Sequence, residues 1–145
     1  MTDRVICEQI VIDESVLSLI CEQARKDYPE EVCGLLFEKD GIIEDAVPIR
    51  NSAGTCDASS RYLMDPKEVY EAERSREKEG LYTAGVYHSH PDLPAVLSGE
   101  DERLMIPEQV YMIISVNGRE IQEINAFIKP LDTMTAVRLE IKDVR

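Results

Sequence analysis

The sequence predicts an α/β (α+β) fold: a mixed, largely antiparallel β-sheet flanked by helices, in a single domain over residues 1–145. Three observations predict it. Short apolar runs rich in Val, Ile and Tyr recur along the chain, as strands do. Two longer stretches carry helical spacing and cap residues instead. Asp-Gly and Asn-Gly pairs between apolar runs are hairpin signals, and a hairpin makes its two strands antiparallel.

Residues 4–12, RVICEQIVI, have a strand-like apolar enrichment. DESVLSLICEQARKDYP reads as a helix: Val16, Leu17, Ile20 and Ala24 recur at helical spacing, Asp13 caps the start and Pro29 ends it. EVCGLLFEKDGIIEDAVPI reads as two strands joined at Lys39-Asp40-Gly41, and the polar RNSAGTCDASS reads as a loop. In RYLMDPKEVYEAERSREKEG, Asp65-Pro66 is an N-cap with a first-turn proline, and Gly80 is placed to stop the helix. LYTAGVYHSH is a strand, SGEDERLMIP a short helical turn, QVYMIISVNG a strand with a turn at Asn117-Gly118, and EIQEINAFIKP and TAVRLEIKD two more strands.

Composition narrows the function. With 29 acids against 16 bases the net charge is -13, which repels a phosphate backbone and argues against nucleic acid as a partner. No run approaches the ~20 apolar residues that cross a bilayer, so no membrane partner is expected. The N-terminus has no apolar core or cleavage site of a signal peptide, so a cytoplasmic protein is expected. Cys7, Cys21, Cys33 and Cys56 match no C-x-x-C metal pattern and are read as mostly free thiols.

The chemistry concentrates in YHSHPDLPAVLSGED. His88 and His90 are the only two histidines of the chain. On a strand they point to one side while Ser89 points to the other, so both imidazoles can close on one metal ion. Asp101, after a loop broken by Pro91 and Pro94, is an oxygen donor for the same ion. Two nitrogens and a carboxylate leave a fourth tetrahedral position open, the composition of a catalytic zinc site, where water becomes acidic near pH ~7. A base and an oxyanion donor are then needed, and Glu31 and Ser98 are the candidates. Each has a plainer reading. Ser98 and Asp101 form a capping-box pattern, and both roles can hold together. Glu31 alone is a solvated acid at a strand start. Cys33 is a packed strand cysteine, Tyr87 and Tyr111 are core or rim residues, and EAERSREKE is a solvated helix face. The spacings of zinc deaminases and of H-E-x-x-H zincins are absent.

The arrangement His88-x-His90, seven residues, Ser98, two residues, Asp101 resembles the HxH-x7-S-x2-D signature of the JAMM/MPN+ zinc-dependent isopeptidases and peptidases. YPEEVCGLL resembles the glutamate segment of that family, aligning Glu31 three residues before Gly34. The likeness runs from about residue 5 to about residue 128. It implies an MPN/JAMM (cytidine-deaminase-like) domain with one Zn2+ held by His88, His90 and Asp101. It implies Glu31 as general base and then acid, and Ser98 as the oxyanion donor. Leu97 stands where members often have proline. The short spacing and lack of insertions resemble small bacterial and archaeal members. For those the implied substrate is an amide bond at the C-terminal Gly-Gly tail of a ubiquitin-like or sulfur-carrier protein. The alternatives are a non-catalytic MPN scaffold, whose relatives usually lack part of the motif, and a small-peptide amidase using the same site.

Overall fold

The computed structural model describes residues 9–51 and 64–145. The expected strand before Gln9, most of the RNSAGTCDASS loop, Cys7 and Cys56 lie outside them. Seven strands and three helices are described: β1 (Gln9–Asp13), α1 (Glu14–Asp27), β2 (Cys33–Lys39), β3 (Ile42–Ile49), α2 (Pro66–Glu77), β4 (Tyr82–Pro91), α3 (Gly99–Leu104), β5 (Val110–Asn117), β6 (Glu120–Ile128) and β7 (Val137–Val144).

Local chemistry explains the element ends. Asp13 accepts the Ser15 amide and Asp65 that of Lys67, so α1 and α2 each begin on an aspartate N-cap. Pro66 occupies the first turn of α2, where its missing N–H costs nothing. Asp40 and Gly41, with φ of 54° and 82°, make the two-residue turn that lets β2 and β3 twist together as a hairpin.

The sheet closes on itself in the order β1-β3-β2-β4-β5-β6-β7, with β7 pairing back onto β1. The β2/β3, β2/β4, β5/β6 and β6/β7 ladders are antiparallel; β1/β3, β1/β7 and β4/β5 are parallel. The mixed, largely antiparallel character expected from the sequence holds, and barrel closure is added to it. Helix α1 packs against β1, β3, β5, β6 and β7, and α2 against β3 and β4.

Alternation along β2 serves two cores. Leu36 joins the larger cluster with Ile12, Ile20, Tyr87, Met112 and Ile114, whereas Leu35 and Phe37 join Ile49, Ala72 and Leu81 under α2. Phe37 is fully buried, and burying such a side chain stabilises by roughly 1.5–3 kcal/mol. The α2 charge run is more than a solvated face: Arg76 pairs with Asp45 of β3, and the Thr83 hydroxyl of β4 donates to Glu73. These contacts tie the helix to the sheet. Where β4 passes β5, Gly85 lies so close that a Cβ would stand 1.9 Å from the Val110 carbonyl oxygen. The absence of a side chain there lets β4 and β5 pair in register from Gly85↔Val110 to Pro91↔Val116.

Candidate metal centre

The end of β4 carries both histidines. Register sets Cys33 of β2 opposite His88, and Ser115 of β5 opposite His90. Ser89, between them, faces the other way. Its amide donates to the Val32 carbonyl (3.0 Å) and its hydroxyl accepts the Val32 amide (2.9 Å), bracketing the residue after Glu31 onto β4. From the other side the Asn51 side-chain amide donates to the Glu31 carbonyl at 3.0 Å. Glu31 is thereby fixed where β2 begins, beside the histidines.

The imidazoles converge. Their Nε2 atoms stand 3.1 Å apart and the ring centroids 4.9 Å apart. A carbonyl cannot donate, so the 2.9 Å contact between His90 Nδ1 and the Pro94 oxygen is an Nδ1–H donating to it. This leaves the His90 Nε2 lone pair facing inward. His88 is buried, and burial together with the adjacent His90 holds its pKa down to about 3, so its ring is neutral, the state a metal needs. Glu31, also buried, has its carboxyl pushed up to about 8, by burial first and by the charge of Asp101 second. Its Oε1 has no hydrogen-bond partner among the described residues. Such an atom, buried and unmatched, is costly to fold around and marks a place for a ligand or proton.

Asp101 is the N3 residue of α3, with Ser98 as the N-cap. The Ser98 hydroxyl accepts the Asp101 amide (2.9 Å), and Asp101 Oδ2 accepts the Ser98 amide (3.2 Å). The capping box is thus present, and it aims Asp101 inward: the same Oδ2 lies 3.8 Å from His90 Nε2. Ser98 is exposed, and because its oxygen accepts in the box its O–H hydrogen stays open to another acceptor.

One ligand atom each from Glu31, His88 and His90 lies within 4.8 Å of the others, with Asp101 at their edge. Two nitrogens bound tetrahedrally to zinc at about 2.0–2.1 Å stand about 3.3 Å apart, so the observed 3.1 Å suits a shared ion. Neutral imidazoles, an unmatched carboxylate oxygen and a second carboxylate form a donor set that fits zinc. Cys33 takes no part in it: its thiol donates to the Ile49 carbonyl and is pushed up to about 12, mainly by burial. Tyr87 and Tyr111 are buried, as their apolar surroundings suggest.

The model of a family described as prokaryotic homologs of the JAB domain matches residues 13–127. The chain belongs to that family. The resemblance carried by the histidine motif and the α+β fold implied by it are therefore borne out. Among JAB-family relatives, a desampylase of Haloferax volcanii is 38% identical over 109 residues, covering 73% of this chain and 77% of the relative. A CysO-cysteine peptidase of Mycobacterium tuberculosis is 26% identical over 121 residues, covering 81% of each. The solution structure of a Desulfitobacterium hafniense protein superimposes with a TM-score of 0.80 at 29% identity, covering 94% of both chains. None of the helices among the described residues is long and apolar enough to cross a membrane.

Sequence reasoning missed three residues at this site. Asn51 acts through its side-chain amide, Ser89 through its hydroxyl and amide, and Pro94 through its carbonyl, contacts that no sequence motif marks.

Proposed function

We propose that this JAB-family chain is a zinc-dependent peptidase or isopeptidase that hydrolyses an amide bond at the C-terminal tail of a ubiquitin-like or sulfur-carrier protein. The observation that carries it is the convergence of two imidazoles, whose Nε2 atoms meet 3.1 Å apart, on a buried Glu31 carboxyl with an unmatched Oε1. The names of the desampylase and CysO-cysteine peptidase relatives support the substrate class.

In this reading His88, His90 and Asp101 hold one Zn2+. Bound zinc supplies an acidic water and polarises the scissile carbonyl. Glu31, once ionised beside the cation, takes a proton from the attacking water and returns it to the leaving amine. Burial disfavours the charged carboxylate and so raises its affinity for the proton it takes. Ser98 donates its O–H to the oxyanion while its oxygen remains in the capping box. Two observations support this division of roles: the Ser98 amide orients Asp101, and the unmatched Glu31 Oε1 is open to a proton.

Incubating a carrier protein fused through its Gly-Gly tail to a short peptide, with and without added zinc, tests the reading. Zinc-dependent release of the peptide by wild type, lost in Glu31→Gln, is expected. Release of a small peptide amide but not of the carrier fusion would favour the amidase; no turnover with zinc bound would favour a scaffold.

A further inference from the structure

The loop after β4 is held by side chains that the proposed reaction leaves unused. The Ser115 hydroxyl of β5 donates to the Leu93 carbonyl (2.6 Å), and the Asn125 side-chain amide of β6 donates to the Ala95 carbonyl (2.8 Å). Glu123 of β6 accepts the Ala95 amide at 3.1 Å. Ser115 and Asn125 are themselves buried, with 4% and 8% of their surface exposed. Polar side chains of this burial on strands of a closed barrel cost free energy unless matched, and this loop matches them.

The three belong to one patch of the sheet. Ser115 is the register partner of His90 on one side and of Glu123 on the other, and Asn125 pairs with Ile113, two residues before Ser115. The carbonyls of Leu93 and Ala95 are both drawn toward β5 and β6. Between them, the Pro94 carbonyl is left facing His90, where it accepts the Nδ1–H at 2.9 Å. Proline at this position gives the loop one fewer competing amide.

We infer that Ser115 and Asn125, with Glu123, are positioning residues: by clamping the Leu93–Ala95 backbone they aim the Pro94 carbonyl at His90 and so fix the tautomer that leaves Nε2 free for the metal. Outer hydrogen bonds of this kind hold a ligand imidazole in the orientation and protonation state that binding needs. The consequence for metal rests on the proposed function, but the tautomer does not.

The test is the nitrogen chemical shifts of His90 in metal-free protein, alongside zinc affinity by competition with a chromophoric chelator. Wild type is expected to show one tautomer with Nδ1 protonated. Ser115→Ala/Asn125→Ala is expected to show mixed tautomers and zinc binding weakened about 10–100-fold. Ser115→Thr, which restores the hydroxyl to the single Ser115→Ala variant, is expected to restore both. Should the double variant fail to fold, Ser115→Ala alone is read in the same way. A folded variant with the wild-type tautomer and unchanged affinity overturns the inference. A wild type that shows the expected tautomer but binds no zinc overturns the metal reading and leaves the clamp standing.

Discussion

The two halves of the candidate centre are held by different means. Glu31 and His88 are both buried and positioned by the sheet: the Cys33↔His88 register and the two Val32–Ser89 hydrogen bonds fix them together. His90 and Asp101 are only half-buried and depend on the segments beyond β4, a loop fastened to β5 and β6 and a single-turn helix capped by Ser98. The sheet thus fixes Glu31 and His88, while the His90 ring and the Asp101 carboxylate are oriented by local polar bonds. Rigid barrel strands tolerate little change. Loop and cap bonds are worth about 1 kcal/mol each and change singly.

The largest expected effect lies on the sheet side. Gly85→Ala forces a Cβ against the Val110 carbonyl, which is backbone and cannot swing away. Separation of β4 from β5 should cost at least the ~1–3 kcal/mol of an overpacked core, read as a lowered denaturant midpoint, with zinc binding lost as well. If stability holds, the sheet is not the rigid half. Next, Glu31→Gln should lower turnover by about 10²–10⁴-fold, the worth of a positioned acid or base, with zinc affinity retained. Single-turnover rates on a carrier–peptide fusion check this.

Ser98→Ala sharpens the contrast on the loop side. Loss of the cap should cost about 1 kcal/mol of stability. The rate should fall by about 10²–10³-fold if the hydroxyl steadies the oxyanion. A stability loss with an unchanged rate would reduce Ser98 to a cap.

Legibility in the sequence divides along the same line. The His88/His90 pair could be read from strand alternation, whereas Ser98, Asp101 and Glu31 were marked by the resemblance of their spacing to the family motif; the structure brings Glu31, His88 and His90 together with Asp101 at their edge. Asp13, Asp65 and the Asp40-Gly41 turn could be read because each acts within a few residues of itself. Closure of the barrel was not legible: the β1/β7 pairing joins strands more than a hundred residues apart, and no local pattern encodes it. The same holds for Ser115 and Asn125, polar residues in apolar strands whose purpose appears only when the Leu93–Ala95 backbone is laid over them. Arg76 and Glu73 looked solvated because their partners, Asp45 and Thr83, come from other elements.

A further effect is expected from pH. In the metal-free protein Glu31 retains its proton up to about 8, against an ordinary value of 4.5. The folded state then binds more protons than the unfolded one, so the stability tied to this proton is full below pH 4.5 and is lost as pH rises through 8. Gln has no proton to lose. Glu31→Gln should therefore match wild type near pH 5 and be the more stable near pH 9, by thermal melts in chelator. His88, held down to about 3 from 6.5, acts with the opposite sign between those values, overlapping the lower part of the Glu31 window, and equally in both proteins. Identical pH profiles would mean that Glu31 is not held in its protonated form.

The most direct measurement of the central claim is zinc stoichiometry and affinity for wild type, Glu31→Gln and Asp101→Asn side by side. About one zinc per chain is expected in wild type and in Glu31→Gln, and markedly weaker binding in Asp101→Asn. Zinc lost from Glu31→Gln but kept by Asp101→Asn would contradict it, making Glu31 the third ligand and leaving the centre without its proton acceptor.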